Sequence, residues 1–388
     1  MAINLKSFLL AFMCFVFALT SSAQEISLLT VDPGDMVYDA YGHSALRVND
    51  KERGIDRVYN YGLYDFDTPG FVMKFMRGKL LYQVGAHRYS DFLYNYNQNK
   101  RSVYEQKINL SGDEKEALIK ALRINMMKEN RSYKYDFFFD NCSTRLRDLF
   151  ENVVEHTDDY SNVSNLTFRD LIKEFQYGNP WTDFGIDIII GSNADNQATI
   201  EDQMFLPLYL KSILTEAKVM RDGEIVNLLS PQQEILSFPK EAAKRKSRFW
   251  LTPELIFLFI AIVLLMIRSP YRISKELPKW IYRIDKSFLF LFALLGCIVA
   301  FMWWGTDHIP TKANWNLLWL NPLIFVPVFF SLPKHKWVRI IIYFLVALCF
   351  IALVNLWVQF LPQQFHVAFG WLILIEMLAL ISLLKWSK

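Results

Sequence analysis

The chain has 388 residues, of which 53% are hydrophobic and 16% aromatic, and its formal net charge is only +3. That near-neutral balance gives no basis for a nucleic-acid partner. The apolar excess is gathered in separate stretches, which divides the chain before any motif is considered.

Residues 1–23 read as a secretory signal: Lys6, an apolar run from Phe8 to Leu19, then small Ser21 and Ala23 that fit cleavage after Ala23. Cys14 follows bulky Phe12 and Met13 and so makes no lipobox. Residues 24–238 mix polar and apolar positions as a water-soluble domain does, and about 215 residues suffice for a substantial core. Ser44 to Val48 and Val58 to Tyr64 predict an antiparallel pair across the polar loop between them, with further strands at Leu80 to Val84 and Ser102 to Leu110. Ser111 and Glu114 form an S-x-x-E capping box ahead of a helix over Asp113 to Lys128. A strand over Tyr133 to Phe139 then leads into a helix starting at Cys142, whose Leu146, Leu149, Phe150, Val153 and Val154 make one apolar stripe. Beyond Tyr160 a loop-and-helix region follows, whose order the pattern does not define.

A basic linker, 239–248, precedes five apolar stretches near bilayer length within 249–388: Phe249 to Ile267, Ser287 to Gly305, Trp315 to Leu332, Trp337 to Phe360 and Phe365 to Leu384. Basic residues crowd the loops after the first (Arg268, Arg272, Lys275, Lys279, Arg283, Lys286) and third (Lys334, Lys336, Arg339). By the positive-inside rule the soluble domain is periplasmic and the C-terminus cytoplasmic, in a multi-pass inner-membrane protein. The basic linker opposes this orientation and is outvoted; it either meets anionic lipid or is a solvated connection. Glu376 and Asn355 are expensive in lipid, so each faces the bundle interior.

Of the four cysteines, Cys14 leaves with the signal and Cys297 and Cys349 lie within spans, so Cys142 is a lone exported thiol with no disulfide partner in its domain. The thiolate is the reactive form. A helix N-terminus favours it, and Arg145 and Arg147 add positive charge. His43, on a predicted strand, is the candidate base, with Asn60 on the next strand best placed to orient it and Asp65 and Asp140 as rivals. The N–H groups of Cys142 and Ser143 are candidates for holding an oxyanion. His87 and His156 read as surface residues. The six histidines are scattered, with no CxxC or HxxxH pair, so no metal or cofactor is expected.

The order of a strand histidine and then an Asn-Cys helix start resembles the circularly permuted branch of the papain-like NlpC/P60 superfamily. YGHSALRV, YKYDFFFDNCSTRLRD and TDHIPTKANWNLLWLNP resemble more closely the DUF4105 family of Lnb-like lipoprotein N-acyltransferases. The resemblance implies an α+β fold, a permuted papain-like extracytoplasmic domain followed by an all-α bundle of five transmembrane helices. It also implies acyl transfer from a phospholipid, through a Cys142 thioester, to the N-terminal amine of a diacylglyceryl-cysteine lipoprotein. Asp140, Asn141, Arg145, His308 and Asn316 are then candidates for holding substrate, the last two in a polar loop flanked by Trp303, Trp304 and Trp315. Ser143 and Thr144 depart from the N-C-E-H pattern of the permuted branch, which leaves the third catalytic group open. The alternative is a cysteine amidase or peptidase of the cell envelope using the same His/Cys pair.

Overall fold

The computed structural model describes residues 24–36, 39–155, 162–176, 178–239, 251–271, 277–330 and 335–385. The expected signal, His156 and all of the expected basic linker except Pro239 lie outside them. The chain forms two compact units, one of residues 1–68, 81–162 and 199–239, the other of residues 69–80, 163–198 and 240–388. Two segments of the stretch expected to be one soluble domain thus group with the C-terminal spans.

The strands in chain order are β1 (Gln24–Val31), β2 (His43–Asp50), β3 (Ile55–Leu63), β4 (Leu81–Arg88), β5 (Val103–Lys107), β6 (Ser132–Lys134), β7 (Val163–Thr167), β8 (Gln197–Thr199), β9 (Lys218–Arg221), β10 (Glu224–Asn227) and β11 (Gln233–Leu236). Seven form one sheet in the order β11-β5-β1-β2-β3-β4-β6. The expected β2–β3 hairpin is present, with Leu46 opposite Tyr59 and Arg47 opposite Val58. Central β1, which was not among the expected strands, pairs Thr30 with Ser44 and Val31 with His43.

Period-2 alternation divides each strand between two covered faces. Ile26, Leu28, Leu46, Val48 and Tyr61 pack on one face with Leu118 and Leu122 of the Gly112–Asn125 helix and Leu146 and Phe150 of the Cys142–Val153 helix. Leu29, Val31, Ala45 and Val58 pack on the other with Phe92 and Tyr96 of the Tyr89–Gln98 helix. The capping box forms as expected: Ser111 N–H donates to Glu114 at 2.7 Å and Glu114 N–H to the Ser111 hydroxyl at 3.2 Å.

The strand expected over Tyr133 to Phe139 stops at Lys134. Asp136 and Asp140 instead close a tight turn by a mutual pair of backbone hydrogen bonds, each 3.1 Å, and the Asp136 carboxylate accepts the N–H groups of Phe138 and Phe139. Such Asx geometry competes with strand pairing and overrides the β-propensity of three consecutive phenylalanines.

In the other unit, four of the five expected stretches are continuous helices: Pro253–Arg268, Lys279–Trp304, Val338–Val358 and Phe369–Lys385. Among the described residues, three helices are long and apolar enough to cross a membrane: Pro253–Tyr271, Lys279–Trp304 and Val338–Val358. The fourth, Phe369–Lys385, has 17 residues and rises about 25 Å. The third expected stretch is not one helix. It breaks into turns at Trp315–Leu318 and Pro322–Ile324 and a helix of five residues, Phe325–Phe329. Asn314 and Asn321 cap the two turns with their side chains, and Pro322 and Pro327 remove donors a continuous helix needs. Such irregular backbone is tolerated where protein covers it, and Trp319 and Leu320 here are fully buried.

The 163–198 segment joins this unit through polar side chains. Fully buried Arg169 pairs with Asp187 and with Asp195 at 2.8 Å, and donates to the Gly191 carbonyl at 3.2 Å. A Cβ at Gly191 would collide with the Lys312 carbonyl, so glycine is required for this close approach. Asn355 is likewise structural: its amide donates to Gln363 O at 3.1 Å and accepts Leu361 N–H at 2.8 Å. Glu376 is buried in the helical unit, facing its interior.

Candidate functional site

The site is assembled where the Cys142–Val153 helix meets the start of β2. Asn141 is the N-cap, its Oδ1 accepting the N–H groups of Ser143 at 2.8 Å and Thr144 at 3.0 Å, and the Thr144 hydroxyl accepts the Asn141 N–H at 2.7 Å. Its Nδ2 donates to the carbonyls of Phe137 at 2.8 Å and Phe205 at 2.9 Å. Asn141 therefore has no side-chain donor left for a substrate; its work is to hold the thiol's helix in place. Replacing it with alanine is expected to cost about 2 kcal/mol, the upper range for a lost cap, measured as a lower melting temperature of the detergent-solubilised protein.

His43 is the first residue of β2. With Asn60 it shares the face of Ala45 and Val58, on neighbouring strands, and the His43 Nε2 and Asn60 Oδ1 atoms lie 2.5 Å apart. An amide oxygen only accepts, so the proton sits on Nε2 and Nδ1 is the ring's basic nitrogen. Ser44, the next residue along, faces the helix: the Ser143 hydroxyl donates to the Ser44 hydroxyl at 3.1 Å. Of the three candidates for orienting His43, Asn60 is the one hydrogen-bonded to its ring; Asp140 pairs with Arg145 instead.

Burial alone would push the Cys142 thiol up. Charge attraction to His43, hydrogen bonds with His43 and the Ser44 backbone N–H, and the Ser143 hydroxyl outweigh it and hold the thiol below its ordinary value. In His43, burial disfavours the charged ring, yet Cys142, by charge and hydrogen bond, and Asn60 outweigh it and raise the ring above its ordinary value, with Arg101 opposing. Both directions favour a thiolate beside an imidazolium. Alkylation of Cys142 by iodoacetamide is therefore expected to set in at a lower pH than for a free cysteine. Asn60→Ala removes a group that raises His43, so the imidazolium is lost at lower pH and the alkylation profile moves upward; an unchanged profile would exclude the orienting role. A hydrogen bond to a charged ring contributes about 1.5–3 kcal/mol, so catalysis should fall by roughly tenfold to a hundredfold.

Other side chains around the pair were not legible in the sequence. Tyr96 stacks near the His43 ring, centroids 6.5 Å apart, and burial pushes its phenol up to about 12. Arg101 lies over Tyr96 and pairs with Asp39 at 3.6 Å. Tyr133 and Tyr135 are also raised, chiefly by burial and next by the Cys142 charge. A surround of neutral phenols leaves the thiolate with few competing charges. Tyr96 lies on the face opposite the helix of Cys142, so only the folded sheet brings it to the pair.

Asp140 and Arg145 form a bidentate ion pair, and Arg145 sits 4.1 Å over the Tyr133 ring. Both side chains are about one-third exposed and remain open to a ligand. The Ser143 N–H, expected to help hold an oxyanion, is taken by Asn141; the cap does not engage the Cys142 N–H. His308 and Asn316 belong to the helical unit. Asn316 is fully buried, donating to Asp187 O at 2.8 Å and Ile188 O at 3.2 Å and accepting Trp319 Nε1–H, so its hydrogen-bonding capacity serves the fold. His308 Nε2 lies 3.1 Å from the Phe75 carbonyl. His87 is exposed on β4.

One cluster has metal-like spacing: atoms of Asp183, Asp187 and His366 lie within 4.8 Å of one another. His366 Nδ1 accepts the Ala368 N–H at 3.1 Å, so the neutral ring carries its proton on Nε2, which faces Asp183 at 3.5 Å and Glu254 at 3.6 Å. A protonated nitrogen is a donor to carboxylates and not a metal ligand. Asp187 is already paired with Arg169 and Lys173.

Two family models match the chain in tandem. Residues 18–174 match one described as the Lnb N-terminal periplasmic domain, and residues 244–387 match one described as the Lnb transmembrane domain. No curated protein and no solved structure gives a match. The first match contains the whole His43, Asn60 and Cys142 constellation, the second all four long helices. The chain therefore belongs to an Lnb-like family of inner-membrane proteins with a periplasmic N-terminal domain.

Proposed function

We propose that this protein is a membrane-anchored cysteine acyltransferase that N-acylates lipoproteins. The observation that carries the reading is the Cys142 thiol at a capped helix N-terminus, held below its ordinary value by the charge of His43, whose Nε2 lies against Asn60. The arrangement, with His before Cys along the chain, resembles a permuted papain-like site and supports the reading. Membership of an Lnb-like family and a transmembrane domain support a lipid substrate and a role in lipoprotein processing.

In the first half-reaction His43 Nδ1 takes the thiol proton and Sγ attacks the carbonyl carbon of a phospholipid ester. Collapse of the tetrahedral intermediate breaks the ester C–O bond, His43 gives its proton to the departing glycerol oxygen, and a lysophospholipid leaves. In the second, the α-amine of a diacylglyceryl-cysteine attacks the thioester, and an amide forms as the C–S bond breaks. The amine's proton passes through His43 to restore the thiol. Asn60 is the positioning residue, and the Cys142 N–H, which the Asn141 cap does not engage, is a candidate donor to the oxyanion in both halves. Arg145 and Asp140 are candidates for holding the head group or the lipoprotein backbone.

The test is mass spectrometry of a diacylglyceryl-cysteine peptide incubated with the protein in phospholipid vesicles. The expected result is a mass gain of one fatty acyl group on the peptide's amine, with lysophospholipid in equal amount. An unmodified peptide alongside cleavage of cell-wall peptides would replace this reading with that of an envelope amidase or peptidase.

A further inference from the structure

The connection between β3 and β4 does not stay with its sheet. Residues 69–80 group with the helical unit, and within them the helix Phe71–Met76 buries none of its residues. Val72 is 67% exposed, Met73 57%, Phe75 50% and Met76 46%, while Lys74, Arg77 and Lys79 are exposed among them. A soluble domain has no reason to present so contiguous an apolar patch to water.

The segment is bound to the Trp304 end of the long Lys279–Trp304 helix. Asp307 N–H donates to Arg77 O at 2.8 Å, His308 lies 3.1 Å from Phe75 O, and Arg77 Nε reaches Gly305 O at 3.4 Å. Gly78, at φ 64, leaves room for the His308 backbone, which would meet a Cβ at 3.1 Å. At this end Trp303 and Trp304 stack at 4.8 Å, and Trp304 is 69% exposed, as an aromatic belt at a bilayer surface is. Residues 69–80 lie inside the part matched as periplasmic, so the Trp304 end of this helix is its periplasmic end.

We infer that the Phe71–Met76 helix is a monotopic membrane element whose apolar side chains enter the periplasmic leaflet of the inner membrane, with Lys74, Arg77 and Lys79 meeting lipid phosphates. Three observations favour lipid over a protein partner. The patch continues the tryptophan belt of a membrane-spanning helix, it alternates apolar side chains with cations and carries no acid, and it is hydrogen-bonded to that helix's end through backbone atoms, which fixes its depth. The element serves to hold residues 69–80 of the helical unit at the leaflet surface. It does not depend on the acyl-transfer reading.

The test is photo-crosslinking of the full chain in nanodiscs of phosphatidylethanolamine and phosphatidylglycerol, with Val72→p-benzoylphenylalanine and, separately, Met73→p-benzoylphenylalanine. Tyr94→p-benzoylphenylalanine, 68% exposed on the sheet unit, is the reference. Both variants place the probe on exposed side chains, so folding is retained, and size-exclusion elution checks it. Phospholipid adducts several-fold above the Tyr94 level at both positions are expected. Adducts at the Tyr94 level, or adducts formed with this chain or another copy of it in place of lipid, would overturn the inference.

Discussion

Replacing Cys142 with alanine is expected to abolish acyl transfer, with a rate loss on the order of 10³ or more, while the protein still folds and inserts. The expectation follows from where the thiol sits. It is 8% exposed, and its side chain is polarised by His43 and by the Ser44 backbone N–H instead of being packed as an inert small hydrophobe. Cys142→Ser keeps the shape but places a hydroxyl of much higher pKa where a thiolate was favoured, so it should also be inactive. Intact-protein mass spectrometry of wild type after brief exposure to phospholipid should show one added acyl group, absent from both variants and released by hydroxylamine. Acyl transfer at the wild-type rate in Cys142→Ala would remove the thiol from the mechanism.

The second large effect is on stability. Arg169→Leu is expected to destabilise the helical unit by about 3–5 kcal/mol, the cost of leaving a buried charge uncompensated. The Arg169 side chain has no exposed surface and bridges Asp187 and Asp195, which are themselves 2% and 8% exposed. Leucine fills part of the volume but strands both carboxylates; among the described residues Lys173 reaches Asp187, at 3.3 Å, and Asp195 keeps the Gln364 N–H. The readout is a fall in melting temperature of the detergent-solubilised protein together with faster proteolysis of the 163–198 segment. Replacing Arg169, Asp187 and Asp195 together by apolar residues should recover much of the loss, since no charge is then stranded. Equal losses in the single and triple variants would mean that shape, and not charge, holds the segment.

The contrast between expectation and structure is clearest at particular residues. The β2–β3 hairpin, the Ser111 capping box and the apolar stripe behind Cys142 were legible because each depends on neighbours in the chain. The strand expected beyond Tyr133 ends at Lys134 because Asp136 closes a local turn that propensity does not register. The broken third stretch has the hydropathy of a span, but Asn321 caps a turn there and Pro322 and Pro327 remove donors that a continuous helix needs. Asn316 and Asn141 drew attention as polar residues near chemistry, and the fold uses both as hydrogen-bonding joints.

By itself the sequence determined the thiol at a helix start, the strand histidine before it and the apolar C-terminal half. These are properties of composition and of short-range periodicity, which a linear string carries in full. Only the tertiary structure decided that Asn60 lies in hydrogen-bond contact with His43, that Tyr96 and Arg101 flank the ring, and that residues 69–80 and 163–198 join the helical unit. Those outcomes depend on strand register and on hydrogen bonds between residues as much as 233 positions apart, as between His308 and Phe75. No local pattern encodes such a pairing, because its free energy arises only once both segments have lost their water to each other.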